Sequence, residues 1–266
     1  MKHRFIVWLL CAAWVMPAVA AEKPVIVVST SLLETAVRDL LGSESEVIRL
    51  MPPGSCPGHF DLTPAQVRAM TSAGLFVRHD YQTTLDDGIL KSGFGHDRIH
   101  AATSHESFVI PAAYEALCRE LADRFIAEWP MHADRIRARQ QAVHEQAEKV
   151  NEEARHQLER IGNRRVLAAS YQRAFCEWAG LDVVAVFHAG ADGSAWLLSR
   201  AVDMARTAGA EAVVGNQQWG TRHLAALSEA TRLPGIMLSN FPDRGGEGAY
   251  WDFFRDNINA LLSGLP

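Results

Sequence analysis

The sequence predicts an α/β protein of two lobes, each with a mostly parallel sheet flanked by helices, joined by one long spine helix. Two observations lead to this prediction. Short β-branched runs alternate with helical segments in both halves of the chain, which is typical of parallel sheets covered by helices. Between the halves, residues 132–161 contain no glycine or proline, so this segment is predicted to form a single helix.

The N-terminus has the order of a secretory signal peptide. Two basic residues, Lys2 and Arg4, precede an apolar stretch at 5–15, and Ala18-Val19-Ala20 supplies small residues for cleavage. We therefore expect residues 1–20 to be removed and the mature protein to be periplasmic. No later segment reaches the roughly 20 consecutive apolar residues that a membrane-spanning helix needs.

The net charge and the number of cysteines limit which ligands and which thiol states the protein can have. The formal net charge is −5 at pH 7, and loss of the signal peptide makes it more negative by two charges. This charge disfavours nucleic acid as a partner and is compatible with a cationic ligand. The expected mature chain keeps Cys56, Cys118 and Cys176, so at most one intramolecular disulfide can form and at least one thiol stays free, reactive or metal-bound.

The first lobe is expected to span residues 21–130. A β-branched run at 25–28 predicts its first strand, and Ser31 with Glu34 has the spacing of a capping box for a helix that ends near Gly42. The pattern then predicts a strand at 46–50, a helix from Thr63-Pro64, strands at 75–77 and near Ile99, and a helix from Pro111 to Pro130.

The spine helix is expected to occupy residues 131–162 and the second lobe residues 163–266. At about 1.5 Å per residue the spine helix is roughly 45 Å long, longer than one lobe requires. Its apolar positions form a narrow stripe: Ile136, Val143, Ala147, Val150, Ala154, Leu158 and Ile161. The second lobe is predicted to have strands at 166–168, 183–186, 212–214 and 236–238, helices near 172–179, 194–208 and 221–231, and an amphipathic closing helix at 250–262.

Candidate metal ligands follow the second predicted strand, because ligands of open α/β sheets bind beyond the carboxyl ends of the strands. The loop at 51–64 is rich in proline and glycine and carries Cys56, His59 and Asp61 within six residues. Thiolate, imidazole and carboxylate are the side chains that bind borderline-soft divalent metals. The alternative is structural: Asp61 helps to cap the helix at Thr63, Cys56 is buried or paired, and His59 is a surface histidine.

Two further loops carry histidines. His105 and Glu106 follow the strand near Ile99, and His188 follows the strand at 183–186. Both loops could face the same cleft between the lobes as His59, although a surface position is the alternative for each histidine. We expect histidine ligation to make metal affinity fall below about pH 6, because imidazole must be deprotonated to bind.

A set of amide side chains follows the other strands of the second lobe: Gln172, Asn216, Gln218 and Asn240. Amides are weak metal ligands but good hydrogen-bond donors, so they could support ligands or hold a metal that arrives with a small organic chelator. Helix capping by residues such as Ser170, Asn216 and Thr221 is the structural alternative.

Several segments resemble the zinc/manganese-type periplasmic metal-binding proteins of ABC importers. The resemblance covers nearly all of the mature chain. It is carried by Pro52-Pro53-Gly54 with His59 and Thr63-Pro64, by the spine helix, by 174–181, and by Tyr250 with Asn257-Ile258-Asn259. It implies two hinged lobes, a metal in the cleft between them, a small hinge movement, and delivery to a membrane permease and its ATPase. The Cys56-Pro-Gly-His59-Phe-Asp61 segment indicates a divergent branch.

This chain departs from the family pattern of three histidines and one carboxylate drawn from four loops. His59 falls one place later than the family histidine in an ungapped alignment, and Glu106 takes the place of the second, with His105 beside it. Ser170 or Tyr171 stands at the third position, and Ser239 or Asn240 replaces the acid. The chain also has no long acidic, histidine-rich loop.

The sequence therefore predicts a monomeric binding protein, not an enzyme, that captures a transition metal for an ABC importer. His59, His105, His188, Cys56 and Asp61 are the proposed ligands, and zinc is the first candidate, ahead of manganese, copper and iron. One alternative keeps the fold but binds a metal chelate or small organic ligand through the amide side chains. Another is a redox or hydrolytic enzyme that uses Cys56 and His59, but no third orienting group is evident.

Overall fold

The structure is a computed structural model that describes residues 23–52, 63–188 and 195–265. The strands are β1 (Val25–Val28), β2 (Glu46–Arg49), β3 (Leu75–His79), β4 (Ile99–Ala102), β5 (Arg165–Ala169), β6 (Asp182–Phe187), β7 (Ala212–Asn216) and β8 (Gly235–Leu238). The helices are α1 (Ser31–Leu41), α2 (Pro64–Met70), α3 (Thr84–Leu90), α4 (Pro111–Glu128), α5 (Ala133–Leu158), α6 (Arg173–Trp178), α7 (Ala195–Ala208), α8 (Thr221–Thr231) and α9 (Ala249–Gly264). Among these helices, none is long and apolar enough to cross a membrane.

Two parallel sheets form the two lobes, as the alternation of strands and helices predicts. The first sheet has the order β2-β1-β3-β4 and the second has the order β6-β5-β7-β8. Every neighbouring pair of strands in both sheets is parallel. The two sheets therefore use the same topology, with the first strand of each lobe paired on both sides.

The spine helix α5 joins the two lobes and is confirmed as a long helix. It ends in single 3-10 turns, Pro130–His132 before it and Glu159–Ile161 after it. All seven positions of the predicted apolar stripe are buried, each with 5% or less of its surface exposed. They join the main hydrophobic core, which also contains residues from α1, α4, α9 and both sheets. The narrow stripe is thus sufficient to bury one side of a largely solvent-exposed helix.

Two details of the first lobe differ from the sequence prediction. Helix α1 is capped by Thr30, whose hydroxyl accepts a hydrogen bond from the Leu33 backbone, and not by Ser31. Glu34 pairs with Arg38 and Arg49 instead of closing a capping box. Helix α3 was not predicted, because its seven residues include a glycine and two aspartates, which disfavour helix in a single sequence.

Candidate functional site

The carboxyl ends of the two sheets meet between the lobes. In the first lobe, Ser29 and Thr30 directly follow β1, and β3 ends at His79. In the second lobe, Phe241 follows β8 and its ring lies edge-on to the His79 imidazole, with centroids 6.0 Å apart. The two sets of strand ends are therefore in direct contact. This arrangement is the one in which open α/β proteins bind ligands.

The first-lobe side of this cleft contains a buried polar cluster. Ser29 donates a hydrogen bond from its hydroxyl to Gln82 Oε1 at 2.6 Å, and the His79 backbone N–H donates to the same oxygen at 3.0 Å. The His79 ring nitrogen Nε2 lies 3.0 Å from Thr30 Oγ1. The other ring nitrogen, Nδ1, is buried without a hydrogen-bond partner in the described part of the chain.

His79 is wholly inaccessible to solvent. Burial lowers the pKa of its imidazole from 6.5 to about 3, against the smaller opposing effect of Asp80, because desolvation disfavours the charged form. The ring is therefore neutral at neutral pH. The sequence prediction ended this strand at Val77 and gave His79 no role. The sequence feature that points to His79 is its position, two residues beyond the last apolar residue of the strand.

His105 and Glu106 lie at the first-lobe edge of the cleft, and both are exposed. The His105 ring meets the Phe108 ring edge-on at 5.6 Å, and Phe108 also contacts His79 at 5.4 Å. The Glu106 carboxylate adds to the larger effect of Glu177 in raising the pKa of the Arg173 guanidinium in the second lobe. His105 is thus separated from His79 by one phenyl ring.

The second-lobe side of the cleft is an amide cluster, which brings together the predicted amide residues. Gln172 is fully buried, and its Nε2 donates to Asn216 Oδ1 at 3.1 Å and to Asn240 Oδ1 at 2.8 Å. Gln218 donates to Ser239 Oγ at 3.0 Å and accepts from the Asn240 backbone N–H at 3.1 Å. These bonds connect the carboxyl ends of β5, β7 and β8.

The amide cluster leaves two buried polar atoms without partners among the described residues, Gln172 Oε1 and Asn216 Nδ2. Asn216 makes no capping bond to the turn that follows it, so the capping alternative is wrong for this residue. An unpaired buried acceptor or donor costs about 1–3 kcal/mol. The cluster therefore has one free acceptor and one free donor at the centre of the second sheet's carboxyl edge.

Asn257 of α9 fixes the loop after β8. Its side-chain oxygen accepts from the Ser239 backbone N–H at 2.9 Å, and its amide nitrogen donates to the Ser239 carbonyl at 3.2 Å. The Ser239 hydroxyl in turn donates to the Phe241 carbonyl at 2.8 Å. The closing helix thus holds the segment that places the Phe241 ring against His79.

His188 follows β6 at the outer edge of the second sheet and is exposed. Its neighbour Phe187 contacts Trp219 edge-on at 6.0 Å, and Trp219 contacts the exposed Tyr171 ring at 5.5 Å. Aromatic side chains therefore line this edge. Because β6 and β8 lie on opposite edges of the sheet, His188 and Asn240 approach the cleft from different sides.

Three of the predicted ligands, Cys56, His59 and Asp61, lie outside the described residues. Helix α2, which begins next to them, is capped by Thr63 together with Gln66 in a complete capping box. This capping box satisfies the backbone N–H groups of Thr63 and Gln66 at the start of the helix. Within 23–52, 63–188 and 195–265, no three histidine, cysteine or acidic side chains lie close enough together to hold a metal.

The two cysteines among the described residues belong to the core and not to the cleft. Cys118 in α4 and Cys176 in α6 are both buried, and neither forms a disulfide. Burial raises the pKa of the Cys176 thiol to about 12 and that of Cys118 well above its ordinary value. Both are therefore protonated thiols, which are poor metal ligands and poor nucleophiles.

Solved structures with the same fold cover almost the whole chain. FpvC from Pseudomonas aeruginosa in complex with Mn²⁺ matches 92% of this chain and 99% of its own, with a TM-score of 0.78 and 14% sequence identity. A ZnuA crystal structure matches 92% and 100%, with a TM-score of 0.76 and 14% identity. The periplasmic zinc-binding protein TroA from Treponema pallidum matches 91% and 99%, with a TM-score of 0.73 and 16% identity.

These identities establish the fold alone, and no curated protein sequence matches the chain. The family model described as ZnuA, the periplasmic component A of the zinc-uptake complex, matches residues 26–264. This range includes both sheets, the spine helix and the closing helix. The chain therefore belongs to the ZnuA family of periplasmic substrate-binding proteins, which are not enzymes.

Proposed function

We propose that the protein captures a transition-metal ion, with zinc as the first candidate, in the cleft between its lobes. It then delivers the ion to the permease and ATPase of an ABC importer. The observation that carries the proposal is the contact of the two carboxyl edges, at which a neutral histidine of the first lobe faces the second. Family membership supports it, and so do two of the similar structures, FpvC in complex with Mn²⁺ and the periplasmic zinc-binding protein TroA.

The proposed ligands come from both lobes. His59, Cys56 and Asp61 are proposed from the loop after β2, His105 from the loop after β4, and His188 from the end of β6. A cysteine thiolate favours softer ions, zinc or copper(I), over manganese. Glu106 is proposed to support the site from the first lobe, and the amide cluster from the second.

Export is part of the same proposal. Residues 1–20 are proposed to act as a cleavable signal peptide, and the mature protein to bind its ion in the periplasm as a monomer. Mass spectrometry of the protein recovered from the periplasm tests the cleavage, which is expected before Ala21. Light scattering of the same sample tests the monomeric state.

The first test is elemental analysis of protein purified from the periplasm without a polyhistidine tag. We expect about one equivalent of a single transition metal in the wild type and less in His59→Ala. His96→Ala is the matched control, because His96 is exposed and precedes β4 at the amino edge of the sheet. A wild type that takes up none of zinc, copper, manganese or iron from added salts would contradict the proposal.

A metal chelate or small organic ligand is the second candidate. It is favoured by the amide cluster, whose unpaired Gln172 Oε1 and Asn216 Nδ2 could bind a donor and an acceptor of an organic molecule. Native mass spectrometry of the freshly isolated protein distinguishes the two candidates. A retained organic mass that is lost in Gln172→Leu supports the chelate, whereas a mass increment of the metal alone supports the bare ion.

A further inference from the structure

His79 has the surroundings of a metal ligand, although it lies at none of the positions that the family resemblance indicates. It ends β3, the strand between β1 and β4 in the first sheet. Its side chain is thus at the centre of the carboxyl edge, whereas the loops after β2 and β4 leave from the two outer strands.

The two ring nitrogens of His79 have different surroundings. Nε2 lies 3.0 Å from the Thr30 hydroxyl, which also accepts from the Leu33 backbone at the start of α1. Nδ1 has no partner among the described residues. In metal-binding histidines, one ring nitrogen binds the ion, and the other forms a hydrogen bond to an oxygen atom that fixes the orientation of the ring.

The His79 ring lies at the contact between the two lobes. The Tyr81 ring stacks on the His79 ring, with centroids 5.2 Å apart and planes 4° from parallel. Tyr81 itself is 49% exposed, so the residue that covers this face of His79 is in contact with solvent. Phe108 of the first lobe and Phe241 of the second cover the remaining sides. Because Phe241 belongs to the second lobe, a small separation of the lobes removes one of the three covering rings.

We propose that His79 binds the captured transition-metal ion through Nδ1, with Thr30 as the residue that positions its ring. This assignment rests on the proposed function and adds to it a ligand from the end of β3. It gives the unpaired nitrogen a partner. It also supplies an imidazole from the end of a central strand, in a chain where Ser170 or Tyr171 stands at the family's third histidine position.

The test uses zinc and cobalt(II) as probes on the full mature protein. His79→Phe keeps an aromatic ring in the packed position, and Thr30→Val keeps the volume of the positioning residue. His96→Phe is the matched control, since it makes the same change at the amino edge of the sheet. Affinity is measured by competition with a chromophoric chelator, and X-ray absorption of the zinc-loaded protein counts imidazole ligands.

We expect at least a tenfold loss of zinc affinity and one fewer imidazole in His79→Phe, and a loss of about tenfold in Thr30→Val with the imidazole count unchanged. Wild-type affinity and imidazole count in His79→Phe would overturn the assignment and leave the proposed function standing. If His79→Phe does not fold, Thr30→Val decides, and wild-type affinity in that variant overturns the assignment. A wild type that binds neither ion overturns both proposals.

Discussion

The Tyr250 ring stacks on the Tyr114 ring with centroids 3.6 Å apart and planes 3° from parallel. Tyr250 is in the closing helix α9, and Tyr114 is in α4 of the first lobe, so the C-terminal helix is fastened to the lobe that begins the chain. The Tyr250 hydroxyl adds a hydrogen bond to the Val109 carbonyl at 2.9 Å. These contacts join the lobes on the side of the spine helix and favour small movements over wide closure.

Tyr250→Ala is expected to destabilise the whole protein. The side chain is completely buried, and removing a large aromatic residue from a core costs about 3–5 kcal/mol of unfolding free energy. Tyr250→Phe keeps the stack and loses the bond to Val109, so it should cost about 1 kcal/mol. Urea unfolding measures both. Equal losses in the two variants would show that the hydroxyl, and not the ring stack, fastens the helix.

Asp39 makes stability depend on pH. Burial raises the pKa of its carboxyl from 3.8 to about 6, and the bonds from the Tyr114 hydroxyl and the Gly248 N–H oppose this rise only in part. Between pH 3.8 and 6, the Asp39 carboxyl is therefore protonated in the folded state and ionised in the unfolded state. Asp39 contributes most stability below pH 3.8, and this contribution is lost as pH rises through 6, about 3 kcal/mol in all.

Asp39→Asn should remove this change. Relative to the wild type, the variant is expected to gain about 3 kcal/mol of unfolding free energy between pH 3.5 and pH 7, as measured by urea unfolding of the metal-free protein across that range. Asp134→Asn is the control, because the Asp134 side chain is fully exposed. A constant difference between Asp39→Asn and the wild type would mean that folding does not shift the pKa of Asp39.

Gly245 leaves room for the buried Glu34 carboxylate, which forms half-buried ion pairs at the boundary between the lobes. A Cβ atom at this position would overlap the Glu34 carboxylate, which pairs with Arg38 and Arg49. Gly245→Ala should therefore displace Glu34 and cost about 1–3 kcal/mol, as overpacking does. Thermal unfolding measures the loss, and Gly162→Ala is the control, because the φ of −58° at Gly162 suits any residue and an added Cβ would make only ordinary contacts, the nearest at 3.6 Å. Part of the loss should disappear in Glu34→Ala/Gly245→Ala, and a fully additive double variant would contradict the overlap.

Periodicity predicted the elements that depend on local sequence. The spine helix is an example, since its stripe from Ile136 to Ile161 is both periodic and buried. The amide cluster could be predicted only as a set of residues after strands, because Gln172 contacts Asn240 across 68 positions. His79 could not be predicted as part of a cleft, because its neighbours Thr30 and Phe241 lie in segments far from it in the sequence, after β1 and after β8. The local sequence pattern thus predicts where strands end, whereas the order of the strands in the sheets determines which strand ends lie close together.

The reaction of the protein with a thiol reagent measures whether Cys56 binds the metal. Cys118 and Cys176 have no exposed surface and raised thiol pKa values, so neither should react with a thiol reagent while the protein is folded. In the metal-free mature protein we expect one fast-reacting thiol, absent in Cys56→Ser. If Cys56 is a ligand, one equivalent of zinc should slow its reaction at least tenfold, and a chelator should restore the fast rate. Fast labelling in the zinc-loaded protein would remove Cys56 from the ligand set, whereas slow labelling that a chelator reverses would support the choice of a softer ion.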